Sequence, residues 1–214
     1  MMRRSSRMRF VRGTLFYLML AVILLITILP FLWMLSSSFK GQEAIRTIPI
    51  RWIPERPTLE GYERVFNMQG FSFTRASLNS LLLAVGCTVA EVASSAMAAF
   101  VFAKLPFKGS GKVFGIYLAT MMIPNTVTMV PNYIILRSLG LLDTYTGLIL
   151  PYLGKAFSVF LMRQSMLGVN DAYLESAFLD GASLYRVFWK IMLPMVTPTL
   201  ATLTLISFMG SWNS

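Results

Sequence analysis

The chain has 214 residues, of which 56% are hydrophobic and only 13% are charged, and its formal net charge is +10. This composition is too apolar for a soluble domain, and because the basic residues cluster beside apolar runs, the positive charge indicates membrane topology and not a nucleic-acid partner. The sequence contains no histidine and one cysteine, Cys87, which excludes His-ligated metal sites, Ser-His or Cys-His catalysis and an internal disulfide supplied by this chain alone.

A basic N-terminus precedes the first apolar run. Residues 1–12 carry five arginines and no acid, and residues 13–39 are uncharged. The uncharged run is longer than the apolar core of a signal peptide, so it predicts an uncleaved span over residues 14–35. The arginines predict a cytoplasmic N-terminus. Residues 40–75 contain prolines and charges of both signs, which indicates an extracytoplasmic loop.

The second predicted span, at about residues 76–103, contains a single charged residue, Glu91. A row of small residues four positions apart predicts a seam where helices pack closely, since small residues drive helix association in lipid. The row consists of Gly86, Ala90, Ser94 and Ala98. Residues 104–112 follow with three lysines and no acid, the composition of a short cytoplasmic loop.

Residues 109–113, GSGKV, resemble part of a phosphate-binding loop. The full pattern fails, because Pro106 stands in place of the first glycine and Val113 in place of the Ser or Thr that holds magnesium. Nucleotide binding by this chain is therefore not predicted.

Two further spans are predicted at about residues 113–136 and 144–167, joined by a short external turn. The first contains Pro124 and Pro131, each followed by an asparagine. Prolines inside a span free backbone carbonyls that neighbours or water must satisfy. We therefore expect a kinked helix, and it remains open whether Asn125 lines a solute path or the kink is purely structural.

Residues 170–194 interrupt the spans with an amphipathic segment. If it is helical, six residues at spacings of three and four share one face. They are Leu174, Ala177, Phe178, Gly181, Tyr185 and Phe188. Asn170 and Asp171 stand where a helix start needs a capping oxygen, and Pro194 suits the first turn of a new helix. The segment predicts one or two short helices outside the bilayer, before a fifth span at residues 191–214.

The same segment fits the pattern E-x-A-x(3)-G-x(9)-I-x-L-P at six positions. They are Glu175, Ala177, Gly181, Ile191, Leu193 and Pro194. The pattern resembles the cytoplasmic coupling loop of permease subunits of ABC importers, although Ser176 replaces the commoner Ala. In that family the loop is a helix that docks in a cleft on the ATPase subunit.

The resemblance implies a set of residues that contact the ATPase and a second set that shapes the loop. The first set is Glu175, Ser176, Ala177, Asp180 and Gly181, and the second is Ile191, Leu193 and Pro194. Small residues such as Ala177 and Gly181 let another backbone approach, and a carboxylate suits a basic partner or a helix N-terminus. The alternative is an interfacial helix whose small residues pack on its own bundle.

Residues 121–167 are also similar to the carbohydrate-uptake, maltose-permease-like branch of these permeases, whose members share segments like LGLLDTY and GLILPY. The fifth span closes on Trp212 and Asn213, again as in that branch. Such permeases usually end inside after a sixth span, so five visible spans predict a truncated chain.

Two ionisable residues, Glu91 and Lys155, lie deep in predicted spans. Each costs about 2.5–3.5 kcal/mol on insertion scales, so each should face the bundle interior or water. At about 1.5 Å per residue both lie near mid-depth, which makes a direct ion pair possible. They either line the solute path and bind sugar hydroxyls, or they form a salt bridge without solute contact.

Together these features predict an all-α polytopic helical bundle in the cell membrane, with five of an expected six spans and a cytoplasmic coupling helix between spans four and five. Residues 1–75 are the N-terminal tail, first span and external loop, and residues 76–214 are the permease core with its coupling loop at 170–194. The resemblance implies half of the translocation path of an ATP-driven sugar importer and no enzymatic activity, cofactor or metal. It implies three partners in the lipid-embedded complex: a second homologous permease, a dimeric ATPase and an extracytoplasmic solute-binding protein.

Three alternatives remain. An ABC permease for a non-sugar solute would have the same pattern. A secondary transporter would need no ATPase and often has an internal repeat, which the span spacings do not reveal. An intramembrane enzyme is disfavoured by the absence of histidine and of paired catalytic carboxylates.

Overall fold

A computed structural model describes residues 2–105 and 107–214, and side chains from residue 12 onward. Two of the predictions above rest on residues outside this described part: Pro106, and the side chains of Arg3, Arg4, Arg7 and Arg9. In the described part the regular elements are all helices, so the prediction of an all-α protein is confirmed. The chain forms two compact units, Met1–Ala76 and Ser77–Ser214.

The first unit begins with α1 (Met2–Ser38), whose stretch Arg12–Ser38 is long and apolar enough to cross a membrane. Its 27 residues span about 40 Å at the helical rise, more than the hydrocarbon core of a bilayer. Pro30 lies within the helix. The helix agrees with the span predicted from the uncharged run.

The segment after α1 contains two short helices, α2 (Gln42–Ile45) and α3 (Glu60–Phe66). Lys40 anchors this segment: it is 4% exposed, its Nζ donates to the Arg51 carbonyl at 2.6 Å, and it lies 4.1 Å from the Trp33 ring centroid. The predicted loop is therefore folded against the end of α1.

The second unit is organised on α4 (Phe73–Lys104), a helix of 32 residues. Two members of the small-residue row contact the segment that follows α6. A Cβ placed on Gly86 would lie 3.0 Å from the Ile149 side chain, and the Ser94 hydroxyl accepts a 2.9 Å hydrogen bond from the Gly154 N–H. The row thus includes a packing seam, as predicted.

The third predicted span is two helices that meet almost at a right angle. The first is α5 (Ser110–Ala119), extended by a 3-10 turn at Thr120–Met122, and the second is α6 (Asn125–Ser138). Their axes differ by 103°, and Pro124 lies at the break with an extended ψ of 139°. The predicted kink is present, but it separates two helices instead of bending one, because Pro124 cannot continue the hydrogen-bond ladder.

The fourth predicted span is also divided into two helical segments, but the angle between their axes is smaller, 47°. It joins α7 (Tyr145–Ile149) and its 3-10 extension Leu150–Tyr152 to α8 (Ala156–Leu167). Gly154 lies in the break with a φ of +60°, a conformation that costs a residue with a Cβ about 1–2 kcal/mol.

The coupling segment, residues 170–194, forms α9 (Ala172–Leu179), α10 (Leu184–Val187) and a π-helical turn at Phe188–Met192. A short α11 (Leu193–Met195) leads to the last helix, α12 (Thr197–Trp212), after a bend of 82°. The prediction of one or two short helices is confirmed, and their place outside the bilayer stays a prediction. The fifth predicted span, residues 191–214, contains this bend between Met195 and Thr197, and α12 is its longest helix.

In the described residues two helices are long and apolar enough to cross a membrane, or up to five spans if each bent pair counts as one. The core of the second unit lies between α4, α8, the coupling segment and α12. Its fully buried apolar side chains include Val159, Met162, Met166, Val187, Met192 and Leu203.

Candidate functional site

A buried carboxylate connects three helices of the second unit. Glu91 on α4 is 4% exposed. Its Oε1 accepts a hydrogen bond of 2.5 Å from Ser158 Oγ on α8, and its Oε2 accepts one of 2.6 Å from Ser207 Oγ on α12. The Nζ of Lys155 lies 3.1 Å from Oε2. We name these four residues the Glu91 cluster.

These contacts satisfy a charge that would otherwise be costly in a membrane interior. An unpaired buried carboxylate loses several kcal/mol of solvation, whereas hydroxyl donors and an ammonium group offset that cost. The ion pair between Glu91 and Lys155, which the depths of the two residues made possible, is present.

Lys155 links the buried carboxylate to the protein surface. It precedes α8 at the break after Tyr152, and 44% of its side chain is exposed. Its Nζ also lies 3.8 Å from the centroid of the Tyr152 ring. Because an ammonium group has three donors, Lys155 can bind Glu91 and still donate to a molecule beside it.

Asn125, the third solute-path candidate, lies elsewhere on the second unit. It is the exposed first residue of α6, directly after the Pro124 break. Its backbone carbonyl accepts a hydrogen bond of 2.9 Å from the Thr128 hydroxyl. Among the contacts of the described residues, none connects Asn125 with the Glu91 cluster.

Sequence reasoning missed the two serines that bind Glu91. Ser158 and Ser207 lie 67 and 116 positions from Glu91, and serines are common in packed membrane helices. One signal was available for Ser158: it follows Lys155 by three positions, which would place both on the same side of an uninterrupted helix.

The coupling segment begins with a cap that the sequence predicted in part. The Asn170 side chain accepts a hydrogen bond of 3.0 Å from the Ala172 N–H, so its predicted capping role is confirmed. The prediction for Asp171 is wrong: its side chain makes no cap hydrogen bond, and it pairs with the ammonium group of Lys104 instead.

The predicted single face of the coupling segment is also wrong. Leu174 and Phe188 are buried, but Phe178 is 42% and Tyr185 is 73% exposed. The helical phase ends at Gly181, whose φ is +77°. The Ala182 N–H donates to the Ala177 carbonyl at 2.9 Å and the Gly181 N–H to the Phe178 carbonyl at 3.0 Å, the two bonds of a Schellman motif that closes a helix on a left-handed glycine.

The predicted ATPase-contacting residues divide into a surface group and one core residue. Glu175, Ser176, Asp180 and Gly181 are exposed, and a Cβ on Gly181 would meet no atom within 4 Å. Ala177 is 8% exposed and belongs to the hydrophobic core of the second unit. Its small side chain therefore packs on its own bundle, which was the alternative for this position.

Of the three predicted loop-shaping residues, Ile191 lies in the π-helical turn, and Leu193 and Pro194 lie in α11. Ile191 and Leu193 are partly buried and pack against the hydrophobic core. Pro194 is exposed and lies in the first turn of α11, where a missing N–H costs no hydrogen bond.

Lys104 is a further residue that the sequence did not single out, since it was assigned to a loop with two other lysines. It is the last residue of α4, and only 4% of its side chain is exposed. Its Nζ donates to the Val169 carbonyl at 2.7 Å and pairs with Asp171. A basic residue in the last turn of a helix was the available signal.

Comparison with known proteins gives consistent matches along the chain. Residues 91–214 match the sequence model of the family described as "Binding-protein-dependent transport system inner membrane component". The diacetylchitobiose uptake system permease protein of Streptomyces coelicolor is 32% identical over 190 residues, which are 88% of this chain and 62% of that protein. The arabinooligosaccharides transport system permease protein of Bacillus subtilis is 32% identical over 202 residues, 94% of this chain and 71% of that protein.

A solved structure has the same fold. It is a chain from the crystal structure of a bacterial ABC transporter involved in the import of the acidic polysaccharide alginate. The TM-score is 0.84 at 25% sequence identity, and the match covers 97% of this chain and 73% of that chain. The chain thus spans between about three fifths and three quarters of the length of the proteins it matches.

Proposed function

The chain belongs to the family of binding-protein-dependent transport system inner membrane components, and from that premise we propose that it is a permease subunit of an ATP-driven importer of sugars. In this proposal it forms half of the translocation path with a second, homologous permease. A dimeric ATPase binds on the cytoplasmic side, and an extracytoplasmic binding protein delivers the solute. The two relatives named for the transport of oligosaccharides support a sugar as the solute class.

The coupling segment is the single observation that carries the proposal for the mechanism. It is anchored on one side by Leu174 and Phe188, which are buried, and it exposes Glu175, Asp180 and Gly181 on the other. This division suits the transmission of movement, because a partner that binds and displaces the exposed side also displaces the buried side, which packs against the other helices. Closure of the ATPase dimer would displace the segment and so favour one of two arrangements of the spans.

The contacts of Phe188 support transmission from the coupling segment to α4. Its ring lies 5.3 Å from the ring of Phe100, centroid to centroid, and both side chains are buried. Side chains in direct contact transmit displacement from one helix to the next. A shift of the coupling segment therefore acts directly on the helix that carries Glu91.

For the solute path we propose Lys155 as the contact residue, with Glu91 fixing its position and Asn125 at a second place along the path. The partial exposure of Lys155 supports this division of roles, and so does the burial of Glu91. Ammonium and amide groups can donate hydrogen bonds to hydroxyl groups of a sugar.

The orientation of the chain in the membrane, as proposed here, follows from the positions of the basic residues. The arginines of residues 1–12 and the lysines of residues 104–112 favour the cytoplasm for the N-terminus and for the loop between α4 and α5. Both the coupling segment and that loop then face the ATPase.

Reconstitution tests the proposed function. The chain is co-expressed with an ATPase, a second permease and a binding protein of the same importer family from its own genome, purified as a complex, and assayed in proteoliposomes for uptake of labelled diacetylchitobiose, arabino-oligosaccharides and glycerol phosphate. We expect uptake of an oligosaccharide that requires ATP and the binding protein. Uptake driven by an ion gradient without the ATPase would establish a secondary transporter instead, and uptake of glycerol phosphate alone would establish a non-sugar solute.

The solute path has its own test in the same vesicles. Lys155→Met is expected to change the order of preference among the oligosaccharides, whereas Lys112→Met, at an exposed lysine in the first turn of α5, should not. Unchanged uptake and preference in Lys155→Met would remove this residue from the path.

A further inference from the structure

The cytoplasmic end of α4 is held by two cations from different directions. Lys104 donates to the Val169 carbonyl and pairs with Asp171, at the start of the coupling segment. Arg163 on α8 donates from Nε to the Phe102 carbonyl at 3.2 Å, and its guanidinium carbon lies 4.2 Å from the Phe114 ring centroid. The end of α4 is thus bound to the coupling segment by one cation and to α8 by the other.

Burial makes the Lys104 contact different from a surface salt bridge. Exposed ion pairs are worth about 0–1 kcal/mol, and Asp171 by itself is an exposed partner, with 71% of its side chain accessible. The ammonium group, however, is almost fully enclosed, so losing its partners would leave an uncompensated buried charge. The enclosed end of the contact therefore resists separation of α4 from residues 169–171.

The geometry points to Lys104 as a positioning residue for transport: we propose that it couples the displacement of the coupling segment to α4. This inference rests on the proposed function. Lys104 and Glu91 are 13 positions apart on one uninterrupted helix, about 20 Å along its axis. Movement of residues 169–171 is thereby carried to the Glu91 cluster, which holds α4 to α8 and α12.

The test measures solute imported per ATP hydrolysed in proteoliposomes that contain the complete importer. The probe is a radiolabelled oligosaccharide that the wild type imports. Lys104→Met removes the donor, Lys104→Arg keeps a cation, and Asp171→Ala removes the exposed acceptor. Lys108→Met, an exposed lysine of the adjacent loop, is the matched control.

We expect Lys104→Met to lower the import per ATP at least about fivefold, within the range observed for mutations that modulate coupling between sites. Lys104→Arg should retain at least half of the wild-type ratio, and Lys108→Met all of it. Asp171→Ala should lower the ratio less than Lys104→Met, because the Val169 carbonyl still accepts from Lys104. Since both residues act through one contact, the double variant should be no worse than Lys104→Met alone.

A purely structural role would change the amount of assembled complex and its melting temperature and leave the ratio per assembled complex intact. If Lys104→Met does not fold, Asp171→Ala provides the test, because 71% of the Asp171 side chain is exposed and we expect this variant to fold. An unchanged ratio in Asp171→Ala would then overturn the proposal. If the wild type imports solute and Lys104→Met imports the same amount per ATP hydrolysed, the role of Lys104 is refuted but the proposed function is not. A wild type that neither binds an ATPase nor imports refutes the proposed function, and the role of Lys104 with it.

Discussion

At the residue scale, Glu91 shows how a polar group is kept inside a membrane bundle. Two hydroxyl donors and one ammonium group occupy its oxygens. The sequence predicted the depth of Glu91 and Lys155 and the possibility of their pairing, because both follow from counting along apolar spans. It could not predict Ser158 and Ser207, since their partner is fixed by how the helices pack and not by local spacing.

The Glu91 cluster makes a prediction for stability. Lys155→Met leaves the buried carboxylate with two hydroxyl donors and no cation, and we expect it to cost about 1–3 kcal/mol. The double variant Glu91→Gln/Lys155→Met should recover part of this loss, because it buries no net charge. Thermal unfolding in detergent checks the order, and a double variant less stable than Lys155→Met would contradict it.

Gly181 makes a second prediction at this scale, which separates backbone strain from docking. Gly181→Phe strains a left-handed position by about 1–2 kcal/mol and places a ring on the exposed surface proposed to bind the ATPase. Gly140→Phe is the matched control, because Gly140 also has a positive φ, +69°, and open space around a Cβ.

We expect both variants to lose similar stability, while only Gly181→Phe uncouples ATP hydrolysis from uptake. The measurements are melting temperature and import per ATP. Equal coupling in the two variants would place the docking surface away from Gly181.

At the element scale, the sequence predicted where helices are interrupted but not the angle between the helices on either side. Pro124 signalled an interruption, and the pattern around Gly181 predicted short helices. A proline does not determine the angle at which the chain resumes, so the bend of 103° was not predictable from residue type. The assumption of one face through Gly181 failed for a reason the sequence does contain, since glycine after a helix is the common left-handed stop.

The start of α9 gives a prediction for this scale. Asn170→Ala removes the acceptor for the Ala172 N–H, and losing such a cap costs about 0.5–2 kcal/mol. We expect faster hydrogen exchange in the first turn of α9 and lower import per ATP. Ser138→Ala, which removes an exposed hydroxyl at the end of α6, is the control and should change neither.

At the scale of the whole molecule, sidedness determines which loops meet which partner. The proposed orientation puts residues 104–112 and the coupling segment in the cytoplasm, and it puts the turn after α6 outside. Neither the helices nor their contacts fix this direction, because the same bundle inverted would have the same internal energy. The basic residues are what favour one orientation over the other.

Reporter fusions test this orientation. Alkaline phosphatase, which is active only outside the cytoplasm, is fused after Lys40, Lys108, Gly140 or Gly181. We expect activity after Lys40 and Gly140 and none after Lys108 and Gly181, with a fluorescent reporter giving the opposite result. The reverse pattern at Gly181 would exclude contact between the coupling segment and a cytoplasmic ATPase.

The three-helix attachment of Glu91 also has a consequence for how the protein is made. When Glu91 is incorporated into the chain, Ser158 and Ser207 are still 67 and 116 residues from being synthesised, which is a delay of roughly 3–23 s at about 5–20 residues per second. During this interval the carboxylate has no serine to bind. The newborn helix must therefore keep Glu91 beside water or other polar groups of the insertion machinery, until the later spans arrive and complete its surroundings.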